Sequence, residues 1–196
     1  YDTGHTAIKD VTFRVDDVPG HMEIVGILGP SGCGKSTVLR LIAGLSPQHP
    51  ATSGTVEVMG RAVSEPGADR GFVFQDYTSF DNRTVEENIA FPLVEHTQKS
   101  AEEIRQIAQQ KLALVGLPEA GKKMPGELSG GQRKRVALAR AIALSPDVIL
   151  YDEPTTGLDP IRSDVINELI LKLQRELMVT SVVVTHDMNS AFKVAD

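Results

Sequence analysis

"GPSGCGKST" (Gly29–Thr37) is the stretch from which the rest of the chain can be read. Gly29 and Gly34 bracket Pro30, Ser31, Gly32 and Cys33, and Lys35 and Ser36 follow directly. This is the spacing G-x-x-x-x-G-K-[ST]. Glycines there let the backbone curl until its N–H groups point at phosphate oxygens. The lysine then reaches the β/γ oxygens, and the serine hydroxyl holds Mg²⁺. The flanks agree with this. "EIVGIL" (Glu23–Leu28) is a short apolar run ending at a glycine, the pattern of a buried strand, and "KSTVLRLIAGL" (Lys35–Leu45) has the pattern of a helix.

Working outward, the alternation continues. "GTVEVMG" (Gly54–Gly60) and "GFVFQ" (Gly71–Gln75) read as strands. From Thr84 to Leu117 the period turns helical, and Ile104, Ile107, Ala108, Lys111, Leu112 and Val115 fall near one stripe. "QRKRVALARAIAL" (Gln132–Leu144) is a further helix, and "DVILYDEP" (Asp147–Pro154) is a buried strand with two acids at its carboxyl end. "DPIRSDVINELILKLQREL" (Asp159–Leu177) is an amphipathic helix, and "TSVVVTH" (Thr180–His186) is a strand again. Such alternation predicts an α/β fold with a mostly parallel sheet covered on both faces. In these sheets ligands gather at the carboxyl ends of the strands, where Gly29, Asp152 and His186 all fall.

Composition narrows the function classes. The 196 residues suggest one domain, or one with an inserted lobe. Residues 1–75 and 146–196 form the expected core with its β part, and about 76–145 the helical lobe. A chain 41% hydrophobic and 23% charged can bury a sizeable core. With 20 Lys+Arg against 26 Asp+Glu its net charge is -6, which argues against nucleic acid as a partner. "RKR" (Arg133–Arg135) is basic, but on a helix it reads as a solvated face. The one cysteine, Cys33, lies inside the glycine-rich loop, so a disulfide framework is excluded and a reducing cytosol fits. The five histidines show no zinc-ligand spacing. No apolar run approaches the roughly 18 residues of a bilayer span, and no signal peptide opens the chain, so crossing a membrane unaided is not expected.

Five further places bear on the chemistry. Asp152 and Glu153 end the strand "VILY"; one carboxylate there can hold Mg²⁺ and the second can orient or deprotonate an attacking water. His186 after "VVVT" and Gln75 after "GFVF" are weak signals by themselves. Asp159 before Pro160 is the expected N-cap followed by a first-turn proline, and it can be an interface residue as well. Finally, "ELSGGQRKR" (Glu127–Arg135) places a serine and two glycines before a helix, a second anion-binding start in one small chain.

Together these residues resemble the ATP-binding cassette ATPases across essentially the whole chain. The ordered set is a Walker A loop "GPSGCGKST", a Q-loop at Gln75, the signature "LSGGQ" (Leu128–Gln132), Walker B "VILYDE", a D-loop "GLD" (Gly157–Asp159) and an H-loop at His186. Tyr1, ahead of "AIKDVTF", looks like the family's aromatic residue that stacks on adenine. The resemblance implies a P-loop NTPase core with an N-terminal antiparallel β part and an inserted helical lobe. It also implies that the C-terminal end of the family fold is missing beyond Asp196.

Its cofactors would be ATP and Mg²⁺. ATP would be held by Gly29–Thr37, and Mg²⁺ by Ser36, Asp152 and Gln75. Glu153 would polarise the attacking water, His186 and Lys35 would contact the γ-phosphate, and Gln75 would sense nucleotide and signal to a membrane partner. Two copies would pair head to tail, so that Ser129, Gly130, Gly131 and Gln132, with Asp159, act on ATP held by the other copy. The partners implied are a second cassette and membrane permease subunits, with a substrate-binding or MCE-type protein beyond them. That places the chain in the cytoplasm, on the inner face of the cell membrane. "GADRGFVFQDY" looks like nitrate, sulfonate and taurine importer cassettes. "KMPGELSGG", "KRVALARAIAL", "YDEPTTGLDPIRSDVI" and "TSVVVTHDMNSAFKVAD" look like MCE-linked phospholipid-transport cassettes, the favoured reading, although those often have Met at the position of Gln132.

Overall fold

The computed structural model describes residues 6–16, 23–76 and 79–195. Four strands, β1 (Ile24–Leu28), β4 (Arg70–Val73), β5 (Val148–Asp152) and β6 (Thr180–Thr185), form one sheet in the order β1-β6-β5-β4. Every pairing is parallel, with Gly26 opposite Val183, Leu150 opposite Val182 and Phe72 opposite Leu150. A parallel sheet needs cover on both faces, and the sequence of β5 supplies it by alternation. Ile149 and Tyr151 enter one buried cluster with Val183, while Val148 and Leu150 enter another with Val182 and Val184.

The second cluster is closed by Leu39 and Ala43 of α1 (Lys35–Ala43). Val58 and Val63 join it from a small antiparallel hairpin, β2 (Glu57–Val58) with β3 (Arg61–Ala62). Among the described residues this hairpin is the antiparallel β part, and it is shorter than the alternation over Gly54–Gly60 suggests. Met59 (φ 51) and Gly60 (φ 70) are both left-handed, so the chain reverses in a two-residue turn there.

The other face carries the remaining helices. The helical stretch expected from Thr84 to Leu117 divides into α2 (Val85–His96) and α3 (Ala101–Leu114), each opened by a reciprocal capping box, Thr84 with Glu87 and Ser100 with Glu103. On α3 the stripe is as expected, with Ile104, Ala108 and Leu112 buried. Two short 3-10 turns lead into α4 (Gly130–Ala141). Val136, Leu138 and Ala139 of α4 share the cluster that holds Ile149 and Tyr151. So do Val85, Ile89 and Leu93 of α2, so the lobe residues and the sheet bury one continuous apolar mass. Helix α5 (Pro160–Leu177) and the short α6 (Met188–Val194) complete the described chain. All four parallel strands end along one edge, at Leu28, Val73, Asp152 and Thr185.

Candidate functional site

The glycine-rich loop leaves that edge between β1 and α1. The Gly29 N–H donates to the Thr185 carbonyl at 3.3 Å, which ties the loop's first residue to β6. Gly32 (φ 81) and Gly34 (φ 102) curl the backbone through conformations that other residues rarely adopt. A Cβ on Gly32 would meet nothing within 4 Å, so its backbone lies open to a large anion. A Cβ on Gly34 would stand 2.6 Å from Ile8 Cγ2 and 2.9 Å from the Ala7 carbonyl oxygen, because the Ala7–Ile8 segment closes over the loop there. Pro30, Ser31 and Cys33 are exposed, and Thr37 is half-buried in the first turn of α1. Lys35 is buried, and its ammonium donates to the carbonyls of Gly29 (2.8 Å) and Pro30 (3.0 Å).

The acids at the end of β5 face this loop. Ser36 Oγ donates to Asp152 Oδ1 at 2.7 Å, across 116 residues of sequence. Glu153 Oε1 stands 3.4 Å from the Lys35 ammonium, both groups nearly sealed from solvent. Its other oxygen, Oε2, is 2.8 Å from His186 Nδ1 and accepts from the His186 backbone N–H (3.3 Å) and the Thr156 hydroxyl (3.2 Å). Glu153 has φ 50, a left-handed conformation that costs a non-glycine residue about 1 kcal/mol. Its N–H donates to the Val184 carbonyl at 3.0 Å, which holds the turn against β6. Burial pushes the Asp152 carboxyl above its ordinary range, against the lowering effect of the Ser36 hydroxyl. Gln75 is exposed two residues past the end of β4, at the same sheet edge.

The second serine-glycine start lies elsewhere on the surface. Ser129 is the N-cap of α4: its Oγ accepts from the Gln132 N–H at 3.3 Å, and Gln132 Oε1 accepts from the Ser129 N–H at 2.9 Å. Asp159 is the N-cap of α5 and accepts from the Arg162 N–H at 2.9 Å. The two helix starts are neighbours, since a Cβ on Gly131 would meet Arg162 Cδ at 3.9 Å. Ser129 and Asp159 are exposed. Among the described residues no hydrogen bond or ion pair joins Ser129, Gly130, Gly131 or Gln132 to Gly29–Thr37. Tyr1, the expected adenine-stacking residue, lies outside the described residues.

One expectation is corrected. Arg133, Lys134 and Arg135 do not form a solvated face, and none of the three is exposed. Arg133 donates to the Leu128 carbonyl (2.7 Å), and Arg135 reaches the carbonyls of Val115 (3.4 Å) and Gly116 (3.3 Å). Lys134 is 4% exposed and donates to the Thr156 carbonyl at 2.8 Å. Loop carbonyls at helix and turn ends need donors, and these long side chains reach them from α4. The signal that could have found Lys134 is helical spacing: it stands four residues before Leu138, on the buried side.

A curled glycine loop between strand and helix, set against paired carboxylates at the carboxyl edge of a parallel sheet, defines a P-loop nucleotide-binding protein. Comparison with known proteins refines this class. A family model described as "ABC transporter" matches residues 9–156. The chain belongs to the ABC transporter ATPase family.

Among curated relatives, the "Probable ribonucleotide transport ATP-binding protein mkl" of Mycobacterium leprae is 42% identical over 197 residues, 96% of this chain and 54% of that protein. The "Nitrate import ATP-binding protein NrtC" of Synechococcus elongatus is 42% identical over 98% of this chain and 28% of its own length. The chain thus spans about half the length of the first of these relatives and less of the second. Among solved structures, the dimeric ATP-binding cassette MJ0796 bound to ADP and Pi has a TM-score of 0.84 and 36% identity, with 99% of this chain and 87% of that one covered.

The residues present fit a nucleotide with a divalent ion. Ser36 and Asp152 offer hard oxygen ligands 2.7 Å apart, the donor type Mg²⁺ takes. A cation beside the buried Asp152 would also favour its ionised form. Among the described residues no cluster of three or more His, Cys, Asp or Glu could hold a metal alone. An ion held by Ser36 and Asp152 would therefore take its other ligands from uncharged groups such as Gln75, from phosphates and from water, as Mg²⁺ usually does.

Proposed function

We propose that the chain binds ATP on Gly29–Thr37 and hydrolyses it to drive a membrane transporter. The observation that carries this reading is the convergence of Lys35, Ser36, Asp152, Glu153 and His186 at one sheet edge, from three separate stretches of sequence. The loop N–H groups and Lys35 hold the phosphates, and Lys35 exchanges its loop carbonyls for phosphate oxygens on binding. Ser36 and Asp152, with Gln75 at the same edge, would hold Mg²⁺, which when bound spreads the charge developing on the β- and γ-oxygens. Glu153 orients the attacking water and accepts its proton. His186, 2.8 Å from Glu153, holds that carboxylate and would contact the γ-phosphate.

Among the described residues, Ser129, Gly130, Gly131 and Gln132 make no hydrogen bond or ion pair to this loop, and they neighbour the helix start at Asp159. We therefore assign them to ATP held by a second copy, in a head-to-tail pair. The dimeric state of MJ0796 supports this arrangement by likeness. Closure of the pair would pull on permease subunits, and Gln75 and the helical lobe (about residues 76–145) would contact them. Among the described residues no helix is long and apolar enough to cross a membrane, so a separate membrane partner suits the reading. The chain would then sit on the inner face of the cell membrane. Nucleic acid is not among the partners proposed.

For cargo we favour phospholipid in an MCE-linked system, on the resemblance of the chain from "KMPGELSGG" to its last residues. An anion importer is the second reading, favoured by "GADRGFVFQDY" and by the nitrate-import relative. Glu153→Gln in the full-length protein tests the catalytic assignment. Turnover should fall by about 100- to 10,000-fold while ATP still binds. Turnover at the parent rate would sink it. Co-purification of an MCE-domain protein would support the lipid reading, and of a periplasmic anion-binding protein the other.

A further inference from the structure

Lys134 is the one residue of the "RKR" run that α4 turns fully inward. Its ammonium donates to the Thr156 carbonyl at 2.8 Å and reaches the Glu153 carbonyl at 3.5 Å. The Thr156 N–H closes a turn onto that same Glu153 carbonyl (3.2 Å), and the Thr156 hydroxyl donates to Glu153 Oε2 (3.2 Å). A buried lysine is uncommon and costs desolvation unless its charge is answered. Negative groups that act on it include Asp76, next to Gln75, and Glu153. The group therefore stands where the helix that begins at Ser129 meets the turn after β5.

Resting on the assignment of Glu153 above, we propose that Lys134 is a positioning residue: from the signature helix it holds Thr156, and through Thr156 it sets the direction of the Glu153 carboxylate. The left-handed backbone at Glu153 needs such support, because nothing intrinsic to a glutamate favours φ 50. The connection is also directional. A shift of α4, whose first turn would meet the other copy's ATP, carries the Thr156 carbonyl with it. The base of one site is thereby aligned when the same chain's signature engages the opposite site. The path meets Gly29–Thr37 at its end, where Glu153 Oε1 stands 3.4 Å from the Lys35 ammonium, so what Lys134 controls is the direction of that carboxylate rather than ATP affinity.

The test uses the full-length protein and compares ATP turnover with binding of a fluorescent ATP analogue. Lys134→Met keeps length and bulk but removes the donor. It should lower kcat by about tenfold or more, with nucleotide Kd changed by less than about twofold, the pattern of a lost transition-state interaction. Lys134→Arg, which retains a charged donor, should recover most of that loss. Thr156→Val leaves Lys134 in place and should show the same split between kcat and Kd. Adding it to Lys134→Met should cost less than the two separate effects combined, because both act along one path.

A normal kcat in Lys134→Met, a parallel loss of nucleotide affinity, or full additivity with Thr156→Val would overturn the proposal. If Lys134→Met does not fold, Thr156→Val alone decides, and a normal kcat there is the overturning result. The two readings fail separately. If only the positioning role is wrong, Glu153→Gln is inactive while Lys134→Met is normal; if the base assignment is wrong, Glu153→Gln itself turns over.

Discussion

Glu153 and Lys134 show how differently two residues of one site declare themselves. Glu153 sits in a motif spacing beside a phosphate loop, and its chemistry follows from residue type and position. Lys134 has no such mark, because lysine on a helix is nearly always solvated, and only its place four residues before Leu138 hints otherwise. Its burial has a measurable consequence. Desolvation pushes the Lys134 ammonium down to about 8 from its ordinary 10.5, so between those values the unfolded chain binds more protons than the folded one. Stability then rises with pH across that window, since the cost of the buried charge is present in full below about 8 and fades above it. Lys134→Met removes this contribution. The difference in unfolding free energy, parent minus variant, should therefore grow between pH 7 and 9.5 in denaturant titrations. A difference that shrinks would mean the lysine is not desolvated.

At the scale of elements, the core strands and helices were legible because their signals were redundant. β5 alternates, is wholly apolar up to Asp152, and ends in acids; α1 begins at a P-loop lysine. Boundaries were less legible where a turn competes with pattern, as at Met59 and Gly60, whose left-handed backbone cuts the alternating stretch to two paired residues. The start of α4 is a harder case, because Ser129 satisfies two readings with the same atoms. As an N-cap it stabilises the helix by about 1 kcal/mol, and as a signature serine it would act on a second copy. Ser129→Asn separates them. Asparagine caps as well as serine, so thermal stability should be nearly unchanged, while a bulkier side chain on the exposed face should lower turnover. Loss of stability with turnover intact would leave only the cap.

The whole molecule explains why sequence alone stops at the chain's own fold. The apolar strands and the buried stripes of the helices find their cover inside the described chain, on one of two faces of one sheet, while Ile161 of α5 and Phe192 of α6 stay exposed. What the sequence does not pair is the phosphate loop with the serine-glycine start, and among the described residues no bond joins Ser129–Gln132 to Gly29–Thr37. Two phosphate-binding grammars in one chain make sense if each is half of a site completed by another copy. The most direct measurement is the mass in solution of full-length Glu153→Gln, alone and with ATP, against the double variant Glu153→Gln, Ser129→Arg. The account predicts a monomer without ATP, a dimer with it, and a double variant that binds ATP with the same affinity yet stays monomeric. A Glu153→Gln protein that remains monomeric at saturating ATP, or a double variant that no longer binds ATP at all, would contradict the assignment of Ser129 to the other copy's nucleotide.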